Sequence, residues 1–392
     1  MPLDFIIFRN SRRCSKTSQQ KIMDGAAELD ALPIMYIDQM ALLEIGSTVF
    51  SSLMDADPQA RQEVTYMFWG EGSKQRLNGL DINLAPFWNY YIKECTYALY
   101  DRGRYVALRT HRDVVEVAAQ LDSGLLRTEI KDSLRTKLTT PHHNEDELLE
   151  NSIDLVSGLL LMMDCGTFIH GFSGRTELLW RQGSLRQHLV DHFGETPVLG
   201  HDGVKLEKNF IARNLGRIAG LEIVWTDNLV DHLRMSDDDT KVHIFHHASF
   251  LECQRHSQKS LLPEGVATET LQTLALLLPS ADAETRTWFL KMAATTGLDT
   301  RAIQCGRLRS DRRQIEKFRI WRDRLVTLKQ VFDEAQPKTL SQWWYDRRNG
   351  VQWYTFWVAI LVLVLTIVFG LIQSIEGALQ VYASFKSLSG PG

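Results

Sequence analysis

Residues 349–375 form a run of 27 without one charged side chain, and no other feature restricts the fold of this chain as strongly. A helix rises 1.5 Å per residue, so about 20 residues cross the hydrocarbon core of a bilayer. The apolar residues Val358, Ile360, Leu361, Val362, Leu363, Val364, Leu365, Ile367, Val368 and Phe369 would occupy every side of that helix. A core helix of a globular protein keeps one polar face instead. The run therefore predicts a transmembrane helix over residues 351–373, followed by a short amphipathic tail over 374–392.

The flanks set depth and direction. Trp343, Trp344, Arg347 and Arg348 precede the run, Trp353, Tyr354 and Trp357 open it, and Tyr382 lies past its far end. Aromatic rings with a polar edge settle at headgroup level, so these residues mark two membrane interfaces. From Trp353 to Tyr382 a helix covers roughly 43 Å, the full bilayer with its headgroups. Lys338, Arg347 and Arg348 stand before the span and Lys386 after it; the positive-inside rule then keeps the large N-terminal part in the cytosol. The basic segment 1–25 places its apolar patch ahead of its charges, the reverse of a signal peptide, and the expected layout is a single-pass, tail-anchored protein. Within the span Thr366, Gly370, Ser374 and Ala378 recur at steps of four, a small-residue stripe suited to helix–helix contact. Self-association or docking on another membrane helix is the expectation for it.

The preceding residues read as mainly α: a helical cytosolic domain over 26–299 containing a small strand-helix-strand element at 221–247. Leu149, Ile153, Val156, Leu160 and Met163 alternate steps of four and three, which places them on one helix face. Ser184 and Gln187 open a capped helix that Gly194 closes. Residues 209–219 predict a helix stopped at Gly220, and residues 263–279 and 280–294 a helical hairpin. Between strands at 221–225 and 241–246, residues 227–235 predict a helix and 236–240 a turn. That run has the order of a winged helix, but Asp227, Asp231 and Asp237 to Asp239 would repel phosphates, which argues against nucleic acid. The five cysteines are odd in number and lack C-x-x-C spacing, so neither disulfides nor a zinc knuckle is expected.

The chain's net charge of −4 hides a split. Residues 300–335 carry ten Lys or Arg against five Asp or Glu, and they predict one long basic juxtamembrane helix with Ile315, Phe318, Leu325, Leu328 and Phe332 on one face. Two readings compete. The helix rests on an anionic leaflet, or it belongs to the domain and its basic face is solvated; the second is preferred.

Sites of chemistry are weakly marked. His188 and His192, four apart on the capped helix, are a candidate metal pair, with His201 or Asp202 as further ligands; they lack the glutamate of an HExxH motif, and an ordinary amphipathic helix is the preferred reading. His243, His246, His247 and His256 cluster in sequence, but a strand would turn His243 and His246 to opposite faces. Residues 171–174 are not a nucleophile elbow, and no glycine-rich phosphate loop or other cofactor motif occurs. No catalytic residue is assigned. An enzyme reading would need His170, Arg175, Asp227, Asp231 and His232 to converge in one pocket.

The stretch D-R-R-N, then V-Q-W-Y-T-F-W, then G-L-x-Q-x-x-E-G-A-L-Q-V-Y within residues 344–382, together with residues 223–251, closely resembles a family of uncharacterised fungal single-pass membrane proteins. The resemblance implies a fungal membrane protein with no activity to carry over; since some members accompany biosynthetic genes, it also implies an accessory role in a pathway. A basic helix feeding a C-terminal span is similar as well to CorA-type cation transporters. That family's second span and G-M-N turn are missing, because Phe369, Gly370 and Leu371 run straight on, which leaves an oligomeric pore the remote alternative to a scaffold or adaptor.

Overall fold

The computed structural model describes residues 58–70, 83–98, 105–138, 143–166, 178–200, 203–337, 339–346, 348, 350–388 and 390. In chain order the elements are α1 (Pro58–Trp69), α2 (Ala85–Ala98), α3 (His111–Asp122), α4 (Arg127–Arg135), α5 (Glu145–Leu161), α6 (Leu185–Phe193) and α7 (Ala212–Arg217). There follow β1 (Glu222–Thr226), β2 (Met235–Ser236), β3 (Lys241–Phe245), α8 (Ala248–His256), α9 (Val266–Leu277), α10 (Ala283–Thr296), α11 (Arg322–Glu334), α12 (Leu340–Tyr345) and α13 (Gly350–Leu388). The protein is mainly α, with one small sheet and one long apolar C-terminal helix. The chain divides into two compact units.

The first unit holds α1 to α6 and α8. Its centre is α5, which packs on α2, α3 and α4. Leu149, Ile153, Val156 and Leu160 are all buried, the first three completely, as their spacing requires. Fully burying a side chain of this size stabilises by about 1.5–3 kcal/mol. Glu145, Asp146 and Glu147 fill the first turn of α5, where negative charge suits the helix dipole. Helix α6 begins where the Ser184 side chain accepts the Gln187 backbone N–H. It ends at Gly194, where any Cβ would fall 2.5 Å from the Val190 carbonyl oxygen. The thiols Cys95, Cys165 and Cys253 of this unit form no disulfide.

The second unit holds α7, the sheet, most of α9, then α10 to α13. Its strand order is β1-β3-β2. β1 runs parallel to β3 with Val224 opposite His243, and β2 runs antiparallel to β3 with Met235 opposite Val242. Val242 and Ile244 are fully buried on β3. The turn before β3 carries Asp237, Asp238 and Asp239, all at positive φ. Helices α9 and α10 form where two helices were expected, the second capped where Asp282 accepts the Thr285 N–H at 3.1 Å.

Four expectations are corrected. Residues 300–335 are not one helix: 3₁₀ turns at Thr300–Gln304, Ser310–Arg313 and Ile315–Lys317 precede α11. The backbone donors there are claimed from outside a helical ladder. Ile315 N–H reaches the Val204 carbonyl, and the Glu269 carboxylate accepts the N–H groups of Arg319 and Trp321. Ile315, Phe318, Leu325, Leu328 and Phe332 are all buried, so the segment belongs to the folded unit. Residues 227–235 form only the 3₁₀ turn Leu229–Asp231, because Leu233 N–H bonds the His243 carbonyl and His243 N–H the Arg234 carbonyl, drawing the chain into β2. Helix α7 is shorter than 209–219 predicted, six residues in all. Finally, residues 374–388 continue α13 and are no separate tail.

Candidate functional site

Helix α13 contains a 38-residue stretch, Gly350–Ser387, whose most apolar 18-residue window has mean hydropathy 2.8 and no buried residue. It is long and apolar enough to cross a membrane. Its 39 residues extend about 58 Å at 1.5 Å each, longer than a bilayer with headgroups.

The base of α13 is built in the second unit. A reciprocal capping box of Thr339 and Gln342 starts α12 and so fixes the direction of Trp343 and Trp344. Trp343 stacks on Phe356 with centroids 4.3 Å apart, and Trp344 meets Trp357 edge-on at 5.0 Å. Trp353 donates its indole N–H toward the Trp344 carbonyl at 3.4 Å. The structure thus gathers Trp343, Trp344, Trp353 and Trp357 into one aromatic collar, with Tyr354 exposed beside it and Tyr382 exposed at the other end. Sequence reasoning missed Phe356, although it lies in the same aromatic run.

Arg348, expected at the membrane interface, turns its side chain into the end of α11. Its guanidinium bonds both Asp346 oxygens, at 2.8 and 2.7 Å, and the carbonyls of Phe332 and Ala335 at the end of α11. These are the carbonyls a helix C-terminus leaves without partners, where positive charge is favoured. Burial opposes the Asp346 charge, but the Arg348 hydrogen bonds outweigh it and hold the carboxyl below its ordinary value. Arg347 and Lys338 lie outside the described residues. Thr366, Gly370, Ser374 and Ala378 are exposed on α13; the Thr366 hydroxyl is turned back onto the Val362 carbonyl at 2.8 Å, and a Cβ at Gly370 would meet nothing within 4 Å.

A second group of polar side chains lies within the first unit. Asp227 accepts from the Lys93 amine at 3.3 Å and is 2.8 Å from His247 Nε2. Asn228 pairs with Asp164 through its amide nitrogen and its oxygen, both at 3.3 Å. Tyr90 donates to the Gly158 carbonyl at 3.1 Å. Burial, then the charges of Glu94, Asp164, Asp227 and Cys165, push the Tyr90 phenol well above its ordinary value. Burial likewise raises the Glu94 carboxyl, with Asp164 and Asp227 adding and Lys93 opposing. An imidazole beside a carboxylate is the geometry that orients a general base, but His247 is 2% exposed. The cluster therefore acts as a polar joint tying residues 227–228 and 247 to α2 and to the end of α5. The sequence reading missed Tyr90 and Glu94; their spacing of four on α2 was a signal for one shared face, but their partners lie too far away in sequence for spacing to reveal.

Several of the other sequence candidates have partners of their own. His232, fully buried, accepts the Phe245 N–H at Nδ1, so its Nε2 carries the proton and donates to Thr273 Oγ1 at 2.6 Å. Burial and the neighbouring Arg324 push it down to about 3, which disqualifies it as a base near neutrality. Asp231 is ion-paired to Arg234 at 3.0 Å. His243 Nε2 meets Ser236 and Arg234, His246 Nδ1 accepts the Asp299 N–H, and His256 faces Glu252 at 3.5 Å. His188 and His192 share α6, and among the described residues no third metal-type ligand joins them. Burial lowers His188, with Asp191 opposing, while His192 rests edge-on against Phe193. His170, Arg175, residues 171–174, His201, Asp202 and residues 1–25 lie outside the described residues. A cavity of about 230 Å³ in the first unit is lined by Phe68, Trp69, Asp122, Gln254 and Lys259 among others, and by none of these candidates.

Compared with protein-family models, curated proteins and solved structures, the chain finds no match.

Proposed function

We propose that this protein is a single-pass membrane-anchored scaffold or adaptor whose folded part faces the cytosol and acts through protein contacts. The observation that carries the reading is α13, an exposed apolar helix joined to the second unit by the Trp343/Phe356 and Trp344/Trp357 pairs and by the Arg348 clasp on α11. An anchor fastened this way fixes the pose of the attached unit at the bilayer, which is what a docking platform requires. Orientation follows from the excess of Lys and Arg before the span. The stripe Thr366, Gly370, Ser374 and Ala378 is the face offered to a second membrane helix, where small residues let backbones approach.

Proximity labelling from the full-length protein tests this. The labelled set should contain membrane-associated proteins with cytosolic domains, and it should change when residues 351–373 are replaced by an unrelated anchor. An unchanged set would remove the stripe from the account; labelling confined to lumenal proteins would overturn the adaptor reading itself.

A further inference from the structure

Two arginines of the second unit, Arg213 and Arg217, stand one turn apart on α7 and so share a face. The Arg217 guanidinium lies 3.8 Å over the Tyr345 ring of α12. Helices α7 and α12 are closely packed: a Cβ at Gly220, just past α7, would fall 2.8 Å from the Gln342 amide nitrogen. Helix α12 in turn lays Trp343 and Trp344 against Phe356 and Trp357, where the apolar run begins. Tryptophans at the start of a span mark headgroup depth. Through α12, therefore, the arginine pair is placed at the level of lipid phosphates.

Two carboxylates, Glu284 and Asp282, stand within 4 Å of the pair. Among the described residues Glu284 is the carboxylate in close contact, with Arg213, and it is 3.9 Å from Arg217. Asp282 stands 3.9 Å from Arg213 and is already engaged, its Oδ2 capping α10 through the Thr285 N–H. Each guanidinium keeps a buried Nε donor with no hydrogen-bond partner. Burial and the repulsion of Arg213 lower Arg217 from its ordinary value, with Tyr345, Glu284 and Asp282 opposing; a phosphate taking the place of Glu284 would keep that opposition. Glu284 is exposed, with 68% of its side chain in solvent, and can leave.

We propose that Arg213 and Arg217 form a binding site for the phosphate of an anionic membrane lipid, with Glu284 as the built-in competitor for it. The planar guanidinium fork matches phosphate oxygens two at a time, and the Tyr345 ring fixes the Arg217 plane. The site rests on the reading of α13 as a membrane anchor, and it adds to that reading a chemical preference for the leaflet.

The test reconstitutes the full chain into phosphatidylcholine nanodiscs doped with labelled phosphatidic acid and measures the label retained by the protein. Wild type should retain it, and R213Q/R217Q should lose at least roughly fivefold, the effect of about one basic residue at a membrane surface. E284Q leaves the arginines in place and should raise retention. Unchanged retention in E284Q together with R213Q/R217Q equal to wild type would overturn the site, as would inorganic phosphate displacing the label in detergent as well as unlabelled phosphatidic acid does, which would assign it to a free phosphate ester. A chain that fails to enter discs at all would overturn the anchor reading first, an outcome separable from loss of lipid preference in discs that form.

Discussion

Arg348 shows how far one side chain can determine the state of its surroundings. It satisfies carbonyls at the end of α11 and both oxygens of Asp346, and hydrogen bonds to charged groups are worth about 1.5–3 kcal/mol each. Arg348→Ala should therefore destabilise the second unit by about 2–4 kcal/mol, read as a shift in the denaturation midpoint with an unchanged slope. His232 yields a pH dependence. Its folded value of about 3 lies below the ordinary value near 6.5, so its contribution is fully present above pH ~6.5 and falls as the unfolded chain takes up the proton. The expected slope is about 1.4 kcal/mol per pH unit between pH ~6 and ~4; His232→Gln should flatten it in a stability-against-pH series. At this scale the sequence was only partly readable. Asp227 and the histidines could be named, but the partner of Arg217 is Tyr345 and the partner of Lys93 is Asp227, and spacing carries no signal across such separations.

Elements whose own side chains determine their state were legible. The four-three alternation in α5, the Ser184 cap and Gly194 stop of α6, and the helices α9 and α10 all follow from local rules. Residues 300–335 fail those rules for an identifiable reason. Their apolar positions recur at helical spacing, yet the Glu269 carboxylate and the Val204 carbonyl take the backbone donors of 315, 319 and 321, and Gly306 adopts φ +99°. Periodicity reports which residues are buried and not which acceptors their N–H groups find. Glu269→Ala leaves the buried Trp321 N–H and the part-buried Arg319 N–H without their acceptor, and the expected cost is about 1–3 kcal/mol in chemical denaturation. Gly220, at φ +74°, holds the close approach of α7 and α12. Gly220→Ala should cost about 1–2 kcal/mol from the left-handed backbone alone; Gln342→Ala placed beside it should relieve the contact and leave that backbone cost.

For the whole molecule, the span was the most legible feature, because a charge-free run of 27 residues has few alternatives in water. Its continuation to Leu388 was not, since Glu376, Lys386 and the small residues near them break the apolar pattern without breaking the helix. How α13 is held was also hidden: the clasp depends on Arg348 turning into the end of α11. The central claim is that α13 lies in lipid while the folded part stays on the cytosolic side. Sealed microsomes bearing the full chain, washed with alkaline carbonate and separately treated with external protease, test it most directly. The account expects the chain to stay in the carbonate pellet and the folded part to be digested without detergent. Release into the supernatant, or full protection of the folded part until detergent is added, would contradict it.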